Sequence, residues 1–182
     1  MRPRVAAAGA LALAALVWWA ARRPPPARDP LVTLEEILLS RNDNDPRLDT
    51  DFNGLSEQDR ILMRVRYREF APERRNERGT IVYLLGKDPR SSEDWDFLRE
   101  VVREPPCLSL ADCSKRSKGT AEMGDEVTLA YPALVALKQA ERALAHGPST
   151  GARAVIADAK ASKTRAVARM AAEVGRRAAP AR

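Results

Sequence analysis

The chain has 182 residues, of which 45% are hydrophobic and 31% charged, and its formal net charge is +6. This length holds one domain that can bury its own core, so neither metal clusters nor a dense disulfide framework is required for stability. The charge is concentrated, because residues 148–182 carry eight bases and two acids while residues 29–147 carry 18 bases and 23 acids. A solvated basic helix face explains this pattern more simply than a nucleic-acid-binding surface.

The N-terminus combines a positive leader with an apolar run. Residues 1–4 include two arginines, and residues 5–21 contain no charge and no proline. A helix of this length reaches about 25 Å, slightly less than the ~30 Å hydrocarbon core of a bilayer, and flanking arginines can cover the shortfall. Trp18 and Trp19 lie near the end of the run, where indoles favour the membrane interface. We therefore predict an uncleaved transmembrane anchor over residues 5–21.

Two alternatives to the anchor stay open, a cleaved signal peptide that would release a secreted form and a buried soluble helix. Cleavage after Ala20 or Ala21 would place a tryptophan three residues before the cut, which is a poor context. A short positive leader usually stays in the cytoplasm, which predicts a periplasmic or other extracytoplasmic domain, although Arg22 and Arg23 oppose that orientation. Residues 22–29 include three consecutive prolines and predict a stiff, extended linker.

Residues 30–178 are predicted to form one all-α domain, followed by a disordered C-terminus at residues 179–182. Apolar residues recur with helical spacing, and no credible run of strands is present. A first helix is predicted over residues 30–40, with Thr33 and Glu36 as a capping box. Its apolar stripe is Leu34, Ile37 and Leu38.

The polar stretch 42–54 contains a candidate calcium loop. Asp49, Asp51 and Asn53 occupy positions 1, 3 and 5 of an EF-hand loop, and Gly54 occupies position 6. Position 12, where a bidentate glutamate should close the site, is Arg60. We therefore predict a capped Asx-rich turn and no metal site.

Three further helices are predicted before the cysteine loop. The first runs from Ser56, its cap, to Phe70 and buries Ile61, Leu62, Val65 and Phe70. The second starts at Pro72 and ends at Gly86, with Ile81, Val82, Leu84 and Leu85 inside. The third runs from Ser92, its cap, to Arg103, with Trp95, Leu98, Val101 and Val102 on one face. We expect Trp95 to be a core residue rather than a platform for ligand stacking.

Cys107 and Cys113 are the two cysteines of the chain and lie in a loop over residues 107–119. Their C-x5-C spacing fits neither the C-x2-C of redox proteins nor a four-ligand zinc site. In an exported domain, two cysteines around so short a loop predict a disulfide. Free thiols and a metal site are the alternatives.

Two helices are predicted after the loop. One passes through Tyr131, Leu134, Val135 and Leu144 and ends at His146-Gly147-Pro148, where a histidine gains from the helix dipole. The last runs from about Gly151 to Gly175. Its predicted inner residues are Val155, Ile156, Ala159, Val167, Met170 and Val174, and its outer residues are Arg153, Lys160, Arg165 and Arg169.

Residues 75–86, RNERGTIVYLLG, followed by a short loop and residues 94–102, DWDFLREVV, resemble a HEAT-type helical hairpin. A second hairpin would pair residues 131–145 with residues 154–172, and together the two cover roughly half of the chain. The resemblance implies a fragment of an α-solenoid, a class that binds other proteins over an extended surface. An unrelated irregular helical bundle is the alternative.

No catalytic or cofactor motif is found in the sequence. His146 would have to serve any triad, and the acid pairs Glu35-Glu36 and Asp94 with Asp96 are explained by their places near helix N-termini. We therefore predict a non-catalytic interaction domain without a cofactor, bound to a membrane through residues 5–21 and to another protein. The alternatives are an exported helical enzyme and a cytosolic, membrane-tethered nucleic-acid binder that uses residues 153–177.

Overall fold

The computed structural model of the protein describes residues 29–117 and 124–178. All regular secondary structure within these ranges is helical, so the predicted all-α class is confirmed. The helices are α1 Pro30–Ser40, α2 Arg47–Thr50, α3 Glu57–Glu69, α4 Arg75–Gly86, α5 Ser92–Val102, α6 Glu126–Leu129, α7 Tyr131–His146, α8 Thr150–Lys160 and α9 Arg165–Arg177.

Several predictions concern parts of the chain outside these described ranges. They are the leader at residues 1–4, the anchor at residues 5–21, almost all of the linker at residues 22–29, and the C-terminus at residues 179–182. Among residues 29–117 and 124–178, no helix combines the length and the apolar character that a membrane crossing requires.

Helix α1 starts one turn earlier than its predicted cap. The side chain of Asp29 accepts a hydrogen bond from the backbone N–H of Leu31 at 2.9 Å, with Pro30 in the first helical position. The predicted capping box of Thr33 and Glu36 is wrong, because Thr33 lies inside the helix and is buried. The predicted stripe of Leu34, Ile37 and Leu38 is buried. This stripe attaches α1 to the core.

The stretch 42–54 is mostly polar in sequence, but it contributes apolar side chains to the core. It contains α2, and Leu48 and Phe52 from this region are buried in the core. Gly54 follows with a positive φ of 76°, a conformation that a residue with a Cβ rarely adopts. The stretch therefore forms a packed cover over the core rather than a free loop.

The hairpin α4–α5 has the predicted core but shifted ends. Helix α4 begins at Arg75 instead of Pro72, and the N-cap of α5 is Ser91 instead of Ser92. Ser91 Oγ accepts from the backbone N–H of Asp94 at 3.3 Å, which leaves Ser92 inside the helix. The buried residues include Ile81, Val82, Leu84, Leu85, Phe97, Leu98, Val101 and Val102.

Helix α7 packs closely against α4, and two glycines of α4 permit this. A Cβ at Gly79 would overlap the ring of Tyr131, and a Cβ at Gly86 would lie 2.6 Å from Cγ of Gln139. The face that α7 buries is made of Pro132, Ala136, Leu137, Gln139 and Ala140. Small residues on both helices therefore bring the two backbones together.

The predicted single helix over residues 151–175 is wrong, because the chain turns between α8 and α9. The backbone N–H groups of Ala161 and Ser162 each bond to a carbonyl three residues earlier, at 3.1 Å, and end α8. Helix α9 then packs back against α8. Both helices bury an apolar stripe, and one continuous helix could not turn both stripes toward the same core.

The remaining contacts place the hairpin α4–α5 beside the hairpin α7–α8. Helix α4 packs on α7, and α5 packs on α8. Asp158 of α8 reinforces the second contact, because it accepts from Arg99 at 2.7 Å and from Arg103 at 2.8 Å. Helix α3 packs on α4 and α1, whereas α9 packs on α7 and α8.

Candidate functional site

Helix α3 presents to solvent the face that the sequence predicts to be buried. Ile61, Leu62 and Val65 are 42%, 37% and 44% exposed. The buried side chains are Arg60, Met63, Arg64 and Tyr67, which follow one another at three- and four-residue spacing. The prediction that Ile61, Leu62 and Val65 are core residues is therefore wrong, whereas Phe70 is buried as predicted.

The inversion of α3 is explained by Asp94, which is fully buried. Arg60 Nη1 donates to Oδ2 of Asp94 at 2.9 Å, and Arg64 Nη1 donates to Oδ1 at 2.8 Å. Since Arg60 and Arg64 are one helical turn apart, they point the same way, and one carboxylate holds both. A buried carboxylate costs several kcal/mol unless it is paired and hydrogen-bonded, so Asp94 fixes which face of α3 turns inward.

Neighbouring groups complete this buried ion cluster. Arg60 Nη2 donates to the carbonyl of Asp88 at 2.8 Å, and Arg64 Nη2 donates to Glu57 at 2.6 Å. The backbone N–H of Arg90 donates to Asp94 Oδ2 at 2.9 Å. The carboxylate therefore also caps α5 and links it to α3.

A second buried polar group lies further along the same face of α3. The hydroxyl of Tyr67 donates to Glu104 Oε1 at 2.8 Å, and Arg78 Nη2 donates to the same oxygen at 2.5 Å. The Arg78 guanidinium lies over the Tyr67 ring at 4.1 Å, and Phe97 meets that ring edge-on. Burial, reinforced by the charge of Glu104, raises the pKa of Tyr67 far above its usual range. Both polar groups bind α3 to the domain through its inner face.

The outer face of α3 continues onto α1. Arg66 of α3 donates two hydrogen bonds to Glu35 of α1, at 2.6 and 3.1 Å. Beside this ion pair, α1 and α3 expose five aliphatic side chains, which we call the α1–α3 aliphatic face: Val32, Leu39, Ile61, Leu62 and Val65. Val32 and Leu39 flank Glu35 along α1, and Leu62 lies one turn before Arg66.

The rim of this face is charged but balanced. Arg66 also pairs with Glu69 at 3.1 Å, and Arg68 pairs with Glu100 of α5 at 2.6 Å. Arg68 donates two hydrogen bonds to Glu100, at 2.9 and 2.6 Å, so each of these two arginines has a carboxylate partner. An apolar centre inside a rim of paired charges is the usual anatomy of a protein-binding surface.

The loop considered for calcium holds the ammonium group of a lysine. Lys87 Nζ donates to the carbonyl of Asp49 at 2.8 Å and to Oδ1 of Asn53 at 3.0 Å. Asp49 Oδ1 accepts from the hydroxyl of Tyr83 at 2.6 Å, and Asp51 accepts from Thr50 at 2.7 Å. These oxygens therefore serve hydrogen bonds that position the loop on α4.

The other acids considered for catalysis are engaged in ion pairs. Glu35 pairs with Arg66, Glu36 with Arg47, and Asp96 with Arg99. His146 is exposed in the last turn of α7, the position predicted for it. Trp95 is half-buried against the core, with its ring over Gly151 of α8. The structure does not bring His146 to any of these acids.

Cys107 and Cys113 are joined by a disulfide of S–S length 2.09 Å, as the sequence predicted. The guanidinium of Arg75 touches this disulfide, a contact that was not predicted from the sequence. Arg75 Nη1 lies 3.2 Å from Sγ of Cys107 and 3.6 Å from Sγ of Cys113. No spacing in the sequence connects Arg75 to the loop that follows α5, so only the fold reveals this contact.

The comparisons with known proteins assign no family to the chain. No family model matches it, and no match is found among curated proteins or solved structures. The function of the α1–α3 aliphatic face must therefore be argued from the chemistry of the chain itself.

Proposed function

We propose that the protein is a membrane-tethered, non-catalytic helical domain that binds another protein through the α1–α3 aliphatic face. The observation that carries this proposal is the inversion of α3. The helix buries Arg60 and Arg64 and exposes Ile61, Leu62 and Val65. Burying a large aliphatic side chain contributes about 1.5–3 kcal/mol. Because these three side chains are 37–44% exposed, the domain forgoes part of this contribution at each of them, and a partner that covers the face would recover it.

The rim favours a protein partner over a lipid surface. Helices that lie on membranes carry unpaired lysines and arginines on their polar face, which attract anionic headgroups. Here Arg66 and Arg68 are each paired with a glutamate. The partner we propose therefore offers an apolar centre and a mixed polar rim of its own.

The arrangement of hairpins supports a HEAT-like array as the scaffold of this face. Helix α4 packs on α7 and α5 packs on α8, so each helix of one hairpin meets the corresponding helix of the other, and α5 packs on α7 as well. This is how hairpins stack in an α-solenoid. In this interpretation α4–α5 and α7–α8 are the two units, and α3 and α9 cover their ends.

The tether is the part of the proposal that rests on sequence alone. Residues 5–21 form an apolar run behind a positive leader, and α1 begins nine residues after that run ends. The domain would lie outside the cytoplasm, where the Cys107–Cys113 disulfide is stable. Such a tether would hold α1 and its aliphatic residues close to the membrane plane and to partners in it.

A photo-crosslinking experiment tests the proposed partner. A benzophenone amino acid replaces Leu62 in the full chain, expressed in its native membrane, and a matched chain carries it at Lys138, an exposed position on α7. Illumination should give a discrete adduct with a second protein from position 62 and none from position 138. The adduct should disappear when Ile61 and Val65 are both replaced by serine.

Three other outcomes would contradict this function. An adduct of twice the mass of the chain would show that the face joins two copies. Crosslinks to lipid alone would show that it lies on the bilayer. The same weak labelling at both positions would show that nothing covers it.

A further inference from the structure

The disulfide lies against a buried cation, Arg75, that has no carboxylate partner within residues 29–117 and 124–178. Arg75 is 8% exposed, and its hydrogen bonds go to the carbonyl of Leu110 at 3.0 Å and of Ser109 at 3.5 Å, beside the two sulfurs. Among the described residues it forms no ion pair. Burial lowers its pKa, opposed only by the charge of Glu73. Its positive charge is therefore poorly compensated and faces sulfur.

The charges around the two sulfurs are not equal. Arg75 Nη1 is closer to Cys107 than to Cys113. Glu73, by contrast, accepts the backbone N–H of Cys113 at 2.6 Å. A thiolate at Cys107 would be attracted by Arg75, whereas a thiolate at Cys113 would also be repelled by Glu73.

The carbonyl oxygen of Ser109, 3.0 Å from Sγ of Cys107, opposes a thiolate there, but the remaining charged neighbours do not reverse the asymmetry. Asp112 pairs with Lys115 at 3.0 Å, and Arg78 pairs with Glu104 across the cavity of about 50 Å³ that the two sulfurs help to line. The walls contributed by the α6–α9 side carry no charge, and they include Leu129, Ala133 and Val167. Among the described residues of this environment, Arg75 is the cation without an ion-pair partner.

We propose that Cys107 and Cys113 form a thiol–disulfide exchange site, a couple that a dithiol reduces and in which Arg75 stabilises the Cys107 thiolate. A cation beside a cysteine lowers the pKa of the thiol and makes that sulfur the better leaving group. The substrate class is therefore a small or protein-borne dithiol that reaches the half-buried sulfur of Cys113.

The exchange proceeds in two balanced steps. A thiolate of the dithiol attacks Sγ of Cys113, the Cys107–Cys113 bond breaks, and its electron pair leaves on Sγ of Cys107 beside Arg75. The second thiol of the reagent then loses its proton and attacks the reagent sulfur that is bonded to Cys113 in the mixed disulfide. This step releases Cys113 as a thiolate, which takes up a proton. Two electrons pass to the protein, and the reagent becomes a disulfide.

The test compares Arg75→Gln with Arg74→Gln, a neighbour that pairs with Glu77 and touches neither sulfur. The full chain is equilibrated at about pH 9.5, above the ordinary pKa of ~8.5 of a free cysteine so that the Cys107 thiol is ionised with or without Arg75, with mixtures of reduced and oxidised dithiothreitol, and is then alkylated and weighed. Arg75→Gln should shift the equilibrium about tenfold toward the disulfide, which corresponds to a change of about one pKa unit. Arg74→Gln should change it less than twofold. Glu73→Gln should shift it the other way, toward the dithiol.

A second measurement tests the proposal even if the Arg75→Gln variant does not fold. In the Cys113→Ser chain, with Arg75 in place, the pH dependence of iodoacetamide alkylation gives the pKa of Cys107. The proposal requires a value at least one unit below the ordinary ~8.5 of a free cysteine. A value of 8.5 or more, or equal shifts from Arg75→Gln and Arg74→Gln, would overturn it.

Discussion

Arg60 and Arg64 show how one buried carboxylate can decide the orientation of a helix. Two stripes compete on α3, an aliphatic one at residues 61, 62 and 65 and a mixed one at residues 60, 63, 64 and 67. Periodicity favours the aliphatic stripe, because it compares hydrophobicity and cannot see Asp94, thirty residues away in the chain. The cluster has a cost, since Nε of Arg60 is buried with no hydrogen-bond partner among the described residues.

Because two buried arginines depend on Asp94, its replacement should lower the stability of the protein considerably. Asp94→Asn removes the negative charge between two buried arginines, so we expect the free energy of unfolding to fall by about 3–5 kcal/mol. Asp96→Asn is the control, because Asp96 is exposed and its pair with Arg99 should contribute less than about 1 kcal/mol. Urea denaturation of both variants measures the difference. Similar small losses would mean that Asp94 does not hold α3 in place.

At the scale of helices, the sequence identifies which segments are helical better than where they end. The cores of α1, α4 and α5 follow from their apolar spacing, and α7 ends at His146 as expected. The ends that were missed depend on local hydrogen bonds, such as the Asp29 cap of α1 and the Ser91 cap of α5. Each of these competes with an equally good cap within a few residues.

Because α4 and α7 approach each other closely, a glycine-to-alanine substitution in α4 should destabilise the domain, although such substitutions usually stabilise helices. Glycine inside a helix costs about 1 kcal/mol relative to alanine, so Gly→Ala ordinarily stabilises. At Gly79 the added Cβ would overlap the ring of Tyr131. Gly79→Ala should therefore destabilise the domain by about 1–3 kcal/mol.

Gly175 in α9 is the matched control for Gly79. The atoms nearest to a Cβ there are Nζ and Cε of Lys160, the free end of a flexible side chain that can move aside. Gly175→Ala should therefore be neutral or stabilise by up to about 1 kcal/mol. Thermal unfolding of the two variants checks the pair. Stabilisation by Gly79→Ala would mean that α7 is further from α4 than the structure has it.

For the molecule as a whole, the all-α class and the disulfide could be predicted from the sequence, but the exposed surface could not. The break between α8 and α9 was missed because residues 161–164 contain neither glycine nor proline. The turn forms because each of the two helices has an apolar stripe to bury. The α1–α3 aliphatic face was missed for a related reason, since its residues were assigned to a core that Arg60 and Arg64 occupy.

The most direct test of the central claim is the reactivity of a cysteine placed at residue 62. The native cysteines are joined in a disulfide, so Leu62→Cys adds one maleimide-reactive thiol to the full chain, and Lys138→Cys is the control. In purified protein both should react at the rate of an exposed thiol. In native membranes residue 62 should react at least about tenfold more slowly while residue 138 is unchanged, because a partner covers the face. Equal rates in both preparations, or protection of residue 62 in the purified chain, would contradict the account.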